Sequence, residues 1–258
     1  MTVMNKRLFL SKILLSVATV LFASLANAQQ ATVVVAANMK PAMDEIYQQY
    51  KIAGGKDLRI IYGASGNFAR QIQQGAPFNL FVSADESFPM ILHREGLTVD
   101  EGKVYAIGRL ALIAHKSKNL KLSLSPEDLK KLIIQTNKIA IAKPDTAPYG
   151  KAAIQFLNNM KLDELSKNKI VFAENVSSVA MFVNSGAAGV GLTAYSLAKS
   201  KEVMQFTNHL LIPENLHESI KQRMVLLKTP PKAIVDFYAH LQSPKAKDVL
   251  RAHGYSTP

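Results

Sequence analysis

The sequence predicts an α/β protein of two lobes, each a mainly parallel sheet flanked by helices, joined by two hinge crossovers. Two observations carry this. The first is an alternation of strand-like and helix-like segments that begins at Val33-Val34-Val35, where a β-branched run without polar breaks reads as a strand covered on both faces. The second is a pair of similar strong strands, Gly108–His115 and Gln222–Lys228. They bracket the middle of the chain, so the chain passes out to a second lobe and returns, leaving a cleft between the lobes.

The first unit reads β-α-β-α-β-α. Val33–Ala36 runs into a helix whose cap is Asn38 and whose apolar face is Met43, Ile46, Tyr47 and Tyr50, a helical spacing. Asp57–Tyr62 is the next strand, then Gly63–Phe68 opens a helix that Gly75-Ala76-Pro77 ends. Leu80–Ala84 is the third strand, and a helix starts at Ser87, with Asp85 and Glu86 read as its caps. Strands and helices that alternate in this way form a parallel sheet with right-handed crossovers. The second unit carries a helix over Pro126–Gln135, strands at Lys138–Ala142, Lys169–Ala173 and Val190–Ala194, and a helix over Val176–Asn184. Another helix follows the turn that ends Pro148-Tyr149-Gly150, and helices Pro231–Leu241 and Pro244–His253 close the chain. The expected division is a leader at 1–28, lobe one at 29–108 plus 225–258, and lobe two at 109–224.

Residues 1–28 have Lys6, Arg7 and Lys12 before the apolar run Ile13–Leu25, and end Ala26-Asn27-Ala28. This is the pattern of a secretory signal peptide, which places the mature protein in the periplasm. The formal charge of +12 falls to +9 without the leader's three cations. Its Lys and Arg residues are scattered among acids with no arginine-rich stripe, which argues against nucleic acid as a partner. There is no cysteine, so disulfides and thiolate metal sites are excluded. The six histidines show no metal-ligand spacing.

Four junctions hold small, uncharged, donor-rich residues: Ala37-Asn38, Ser65-Gly66, Pro148-Tyr149-Gly150 and Asn175-Val176-Ser177. Ligands bind at the carboxyl ends of strands in such sheets. Helix starts there direct free N–H groups and positive dipole ends at one place. A cleft lined by donors and few acceptors suits a compact, fully deprotonated oxyanion. A secreted serine hydrolase using Ser65 is the rival from chemistry, but Gly63-Ala64-Ser65-Gly66-Asn67 is not the Gly-x-Ser-x-Gly elbow. A partner-binding or adhesion module is the rival without a ligand.

The run from Gly63-Ala64-Ser65-Gly66-Asn67-Phe68 through Leu80-Phe81-Val82-Ser83-Ala84-Asp85 resembles the signature of periplasmic molybdate-binding proteins, the soluble receptors of ATP-driven molybdate uptake. The likeness extends from Val33–Asn38 through Ala147–Gly150 and Glu174–Val176 to Gly254-Tyr255. It implies the two-lobed periplasmic binding protein fold of the second type. It implies no catalysis, no cofactor, a monomer, and molybdenum held as its oxyanion rather than as a cation. It also implies an ABC transporter permease as partner. By the resemblance Asn38 and Ser65 are ligand donors from lobe one, Tyr149 and Val176 give backbone N–H groups from lobe two, and Ala37 and Tyr195 are further candidates. Many members donate a tyrosine hydroxyl from the strand that here ends Leu192-Thr193-Ala194, where Tyr195 stands one residue on. The pairing of Asn38 with Tyr149 resembles a branch that also binds tungstate. Sulfate or another tetrahedral oxyanion is the alternative ligand.

Overall fold

The computed structural model describes residues 30–258, so the leader reading for 1–28 falls outside the described residues. In lobe one, β1 (Thr32–Ala36) runs through a 3₁₀ turn (Ala37–Met39) into α1 (Lys40–Ile52). Next come β2 (Arg59–Gly63), α2 (Ser65–Gln73), β3 (Leu80–Val82), α3 (Ser87–Arg94) and β4 (Lys103–Gly108). The chain then enters lobe two with β5 (Leu110–His115), α4 (Pro126–Gln135), β6 (Ile139–Ala142), α5 (Pro148–Asn159) and the short α6 (Asp163–Ser166). Lobe two continues with β7 (Ile170–Ala173), α7 (Val176–Asn184), β8 (Val190–Ala194), the short α8 (Tyr195–Ala198) and α9 (Lys201–Met204), and β9 (Thr207–Leu211). Finally β10 (Ile220–Leu226), α10 (Lys232–His240) and α11 (Pro244–Ala252) return to lobe one.

Each lobe holds a five-stranded sheet, in the orders β2-β1-β3-β10-β4 and β7-β6-β8-β5-β9. In the first, β10 is antiparallel to both neighbours, and in the second β5 is. The remaining four strands of each sheet therefore share one direction, which is the mainly parallel arrangement expected. The antiparallel strand is in each case the one next to a crossover: β5 follows the outward passage and β10 the return.

Two boundaries differ from expectation. The segment 108–115 is two strands, broken at Arg109, with β4 in the first sheet and β5 in the second. The return passage lies at 212–219 rather than at 224/225, because β10 already pairs with β4 from Ile220 and with β3 from Met224.

The covered strand β1 shows why no polar residue interrupts it. Val34 faces one side of the sheet with Phe68, Ile72 and Phe81, while Val33 and Val35 face the other with Met43, Ile46 and Phe237. All three valines are fully buried, each contributing about 1.5–3 kcal/mol of transfer free energy. A polar substitution on either face would lose a comparable amount. This packing fixes where β1 ends, and hence where Ala37 and Asn38 stand. Among the described residues no helix is long and apolar enough to cross a membrane.

Candidate functional site

The four junctions meet. A small cavity of about 10 Å³ lies between the lobes, walled by the chain ends at Ala36–Asn38, Gly63–Ser65 and Ala84 from lobe one, and by Ala147–Tyr149, Asn175 and Val176 from lobe two. No wall residue carries a formal charge. A larger cleft of about 260 Å³ opens at the rim of the lobes. Its walls mix acids (Asp85, Glu86, Glu218) with lysines (Lys151, Lys221), so it lacks the one-sided polarity of an anion site.

Each helix start reserves one N–H for the cavity. In α2, Asn67 and Phe68 donate to Ala64 O and Gly66 to Thr146 O, which leaves Ser65 N–H, a first-turn group with no intrahelical acceptor. Ser65 Oγ accepts from Ala84 N at 3.0 Å, so its own hydrogen stays available. In α5, Pro148 has no N–H, and Gly150 and Lys151 turn back to Ala147 O, which leaves Tyr149 N–H. A Cβ on Gly150 would stand 2.2 Å from Ala142 O, so only glycine lets this helix start against the end of β6. In α7, Asn175 Oδ1 caps Ser177 N and Ser178 N, both at 3.0 Å, which leaves Val176 N–H. Three helix dipoles thus point their positive ends into one space without a lysine or arginine beside it.

Asn38 does not cap a helix. It sits inside the 3₁₀ turn, with α1 starting only at Lys40 and Pro41 in its first turn. Its carboxamide instead enters a buried polar network. Asn38 Nδ2 donates to Gln222 Oε1 (2.9 Å) and Tyr255 Oη (2.8 Å), and Gln222 Nε2 donates to Tyr149 Oη (3.0 Å). Tyr105 Oη lies 2.9 Å from Ser83 O and 2.8 Å from Gln222 Oε1. Ser196 Oγ donates to Asn38 O at 2.9 Å, and Tyr255 Oη stands between Asn38 O and Ser196 Oγ. Every one of these side chains is buried. Burial pushes the hydroxyls of Tyr105, Tyr149 and Tyr255 up from the ordinary tyrosine range, so all three remain neutral donors.

Asn38, Ser65, Tyr149, Val176 and Ala37 all line the cavity. Tyr195 is not among its walls. Its ring packs edge-on to His209, lies under Lys199 Nζ, and fills the space beside Gly254. Asp85 accepts from Ser83 Oγ at 2.8 Å and from Phe88 N at 3.4 Å, so it caps α3 as read, while Glu86 pairs with Arg223 at 2.7 Å. Burial raises the Asp85 carboxyl above its usual range. Ser65 has no histidine or carboxylate among the cavity walls to act as base, which removes the hydrolase geometry.

Gln222, Tyr105, Tyr255 and Ser196 were not singled out as site residues in the sequence. Only Gly254-Tyr255 carried a signal, as the closing part of the resemblance. Among the described residues, six bonds cross directly between lobes: Gly66 N to Thr146 O (2.9 Å), Ser177 Oγ to Ala37 O (3.1 Å), Ser196 Oγ to Asn38 O, Gln222 Nε2 to Tyr149 Oη, Tyr255 Oη to Ser196 Oγ (2.9 Å) and Lys199 Nζ to Ala252 O (3.0 Å).

Comparison with known proteins bears on this geometry. The sequence profile of the bacterial extracellular solute-binding proteins matches residues 31–256. A molybdate-binding protein ModA of Azotobacter vinelandii is 34% identical over 255 residues, spanning 95% of this chain and 97% of that protein. Its counterpart in Rhodobacter capsulatus is 35% identical and spans 90% of each. Among solved structures, the Azotobacter vinelandii periplasmic molybdate-binding protein superposes with a TM-score of 0.78 at 31% identity, covering 89% of this chain and all of that one. A sulfate-binding protein SubI from Mycobacterium tuberculosis shares the fold, with a TM-score of 0.71 at 14% identity over 88% of this chain and 86% of that one.

Proposed function

We propose that this chain, which belongs to the bacterial extracellular solute-binding protein family, is a periplasmic receptor that captures molybdate between its lobes and serves an ABC transporter. Tungstate is a second ligand in this reading, and a membrane permease is the partner that receives the loaded, closed form. The receptor acts as a monomer and performs no chemical conversion.

The observation that carries the reading is the cavity itself: three helix N-termini, each with one unclaimed N–H, converge with the Ser65 hydroxyl in a space whose walls bear no charge. Such a site rewards a dianion that accepts from every side. Monohydrogen phosphate brings an O–H of its own. Where every wall group donates, that proton is stranded, at a cost of about 1–3 kcal/mol. Sulfate carries no proton, so its rejection rests on size alone: donors that close on a larger tetrahedron leave sulfate with stretched hydrogen bonds. Molybdate and tungstate are close in size, and the fit does not rank them.

The lobes hold their donors separately, Ser65 and Asn38 on one and Tyr149 and Val176 on the other. The ligand therefore stabilises the closed arrangement by whatever it gains from the second set. Ser65→Ala tests the assignment. It removes a donor to the anion and the acceptor for Ala84 N, and should weaken molybdate binding by about 1–3 kcal/mol in titration calorimetry. An unchanged dissociation constant would take Ser65 out of the site.

A further inference from the structure

The buried network behind the cavity contains a donor-count conflict, and its resolution assigns a role to Gln222. The nitrogen and oxygen of a carboxamide are nearly equal in size, so turning the group by 180° exchanges donor for acceptor without moving a neighbour. In the orientation described above, Asn38 Oδ1 is buried with no hydrogen-bond partner among the described residues. The single Tyr105 hydroxyl hydrogen faces two acceptors, Ser83 O and Gln222 Oε1. Tyr149 Oη accepts from Gln222 Nε2, which leaves its own hydrogen without an acceptor.

Turning Asn38 and Gln222 together removes all three conflicts. Gln222 Nε2 then stands 2.9 Å from the Asn38 oxygen and 2.8 Å from Tyr105 Oη, and donates one hydrogen to each. Tyr105 donates to Ser83 O at 2.9 Å, Tyr149 donates to the Gln222 oxygen at 3.0 Å, and Tyr255 donates to the Asn38 oxygen at 2.8 Å. Every hydroxyl hydrogen then has an acceptor: Tyr255 gives its one to the Asn38 side-chain oxygen, and the Asn38 main-chain oxygen keeps the hydrogen of Ser196 Oγ. The Asn38 nitrogen now occupies the branch that faces none of these groups, in a residue that lines the cavity.

We propose that Gln222 and the Tyr149 hydroxyl are positioning residues that hold the Asn38 carboxamide with its NH₂ toward the bound anion. This rests on the oxyanion-receptor reading and deepens it. Tyr105, Gln222 and Tyr255 orient Asn38 from within lobe one, and Tyr149 of lobe two adds its bond to Gln222 when the lobes meet. Closure then adds the second lobe's donors and also locks a donor of the first. Gly108, at the outward crossover, makes room for this contact. A Cβ there would lie 2.1 Å from Tyr149 Oη and 2.4 Å from Gln222 Nε2.

The test compares affinities for molybdate and for inorganic phosphate, measured by calorimetry or competition. It is run well above neutrality, where phosphate is the monohydrogen dianion and an introduced carboxyl is ionised. Gln222→Glu places an acceptor-only group beside Asn38, draws the NH₂ back into the network and turns the oxygen to the cavity. The molybdate-to-phosphate affinity ratio should then narrow by roughly tenfold or more, since a hydroxylated anion regains an acceptor while molybdate faces an oxygen. Both ligands are dianions, so the added negative charge acts on each and cancels in the ratio. Tyr149→Phe keeps the backbone N–H and should narrow the ratio by less.

A second measurement needs no change in the network. In the wild-type protein the Asn38 side-chain ¹⁵N resonance, identified by its loss in Asn38→Asp, should shift and gain exchange protection when molybdate is added. An unchanged ratio in both variants would overturn the proposal. So would an Asn38 resonance indifferent to molybdate while calorimetry records binding. Both results leave the receptor reading standing. A wild-type protein that binds no molybdate would overturn that reading, and this proposal with it.

Discussion

Gly66 shows how closely the lobes meet at single residues. Its N–H reaches Thr146 O at 2.9 Å, and a Cβ would stand 2.8 Å from both Thr146 Cα and the Phe88 ring. Backbone cannot yield as a flexible side chain can, so Gly66→Ala should hold the lobes apart and cost the site its second set of donors. Molybdate affinity should fall roughly tenfold or more, the equivalent of about one lost hydrogen bond or two. Alanine also suits a helix better than glycine, so the melting temperature of the ligand-free protein should hold or rise. Lower affinity with undiminished stability separates blocked closure from damage to the fold, and wild-type affinity would contradict it. At this scale the sequence was informative about junction residues and silent about their partners. Ser65, Tyr149 and Val176 were legible because helix starts have local signals. Asn38 was misread as a cap because the 3₁₀ turn postpones α1 to Lys40. Its actual partners, Gln222 and Tyr255, lie 184 and 217 positions away.

Elements were legible where their ends are chemically marked. Helix α4 spans Pro126–Gln135 as expected because Ser125 caps it and Pro126 opens it. Helix α7 spans Val176–Asn184 because Asn175 caps two N–H groups at once. The same cap gives a prediction. Asn175→Ala should cost about 1 kcal/mol of stability, the usual value of a lost N-cap, read from the urea midpoint. No change in midpoint would mean that the cap bonds contribute nothing net. Strands β4 and β9 were not read from the sequence, and both are sheet edges. An edge strand faces solvent along part of its length, so residues such as Lys103, Asn208 and His209 dilute the apolar signal that marks a covered strand. The return crossover was placed a few residues late for a related reason. Strand β10 begins with Ile220 and Lys221, two residues before the Gln222 start read from the sequence, and the exposed Lys221 hid that beginning.

Among the described residues, two sheets of the same plan face one another across a cavity, and two short passages of chain connect them, at Arg109 and at 212–219. The alternation of strand and helix and the paired crossover strands were enough to predict this arrangement, because both are long-period features that tolerate local error. The junction residues then predicted the donor character of the cavity. The proposed ligand rests on that donor character together with the likeness to molybdate-binding proteins. Isothermal titration of residues 29–258 with molybdate, tungstate, sulfate and phosphate tests the account most directly. Tight binding of molybdate and tungstate, with no heat from sulfate or phosphate, is the predicted result. Binding of sulfate in preference to molybdate, or of phosphate with comparable affinity, would contradict a donor-only site that selects molybdate.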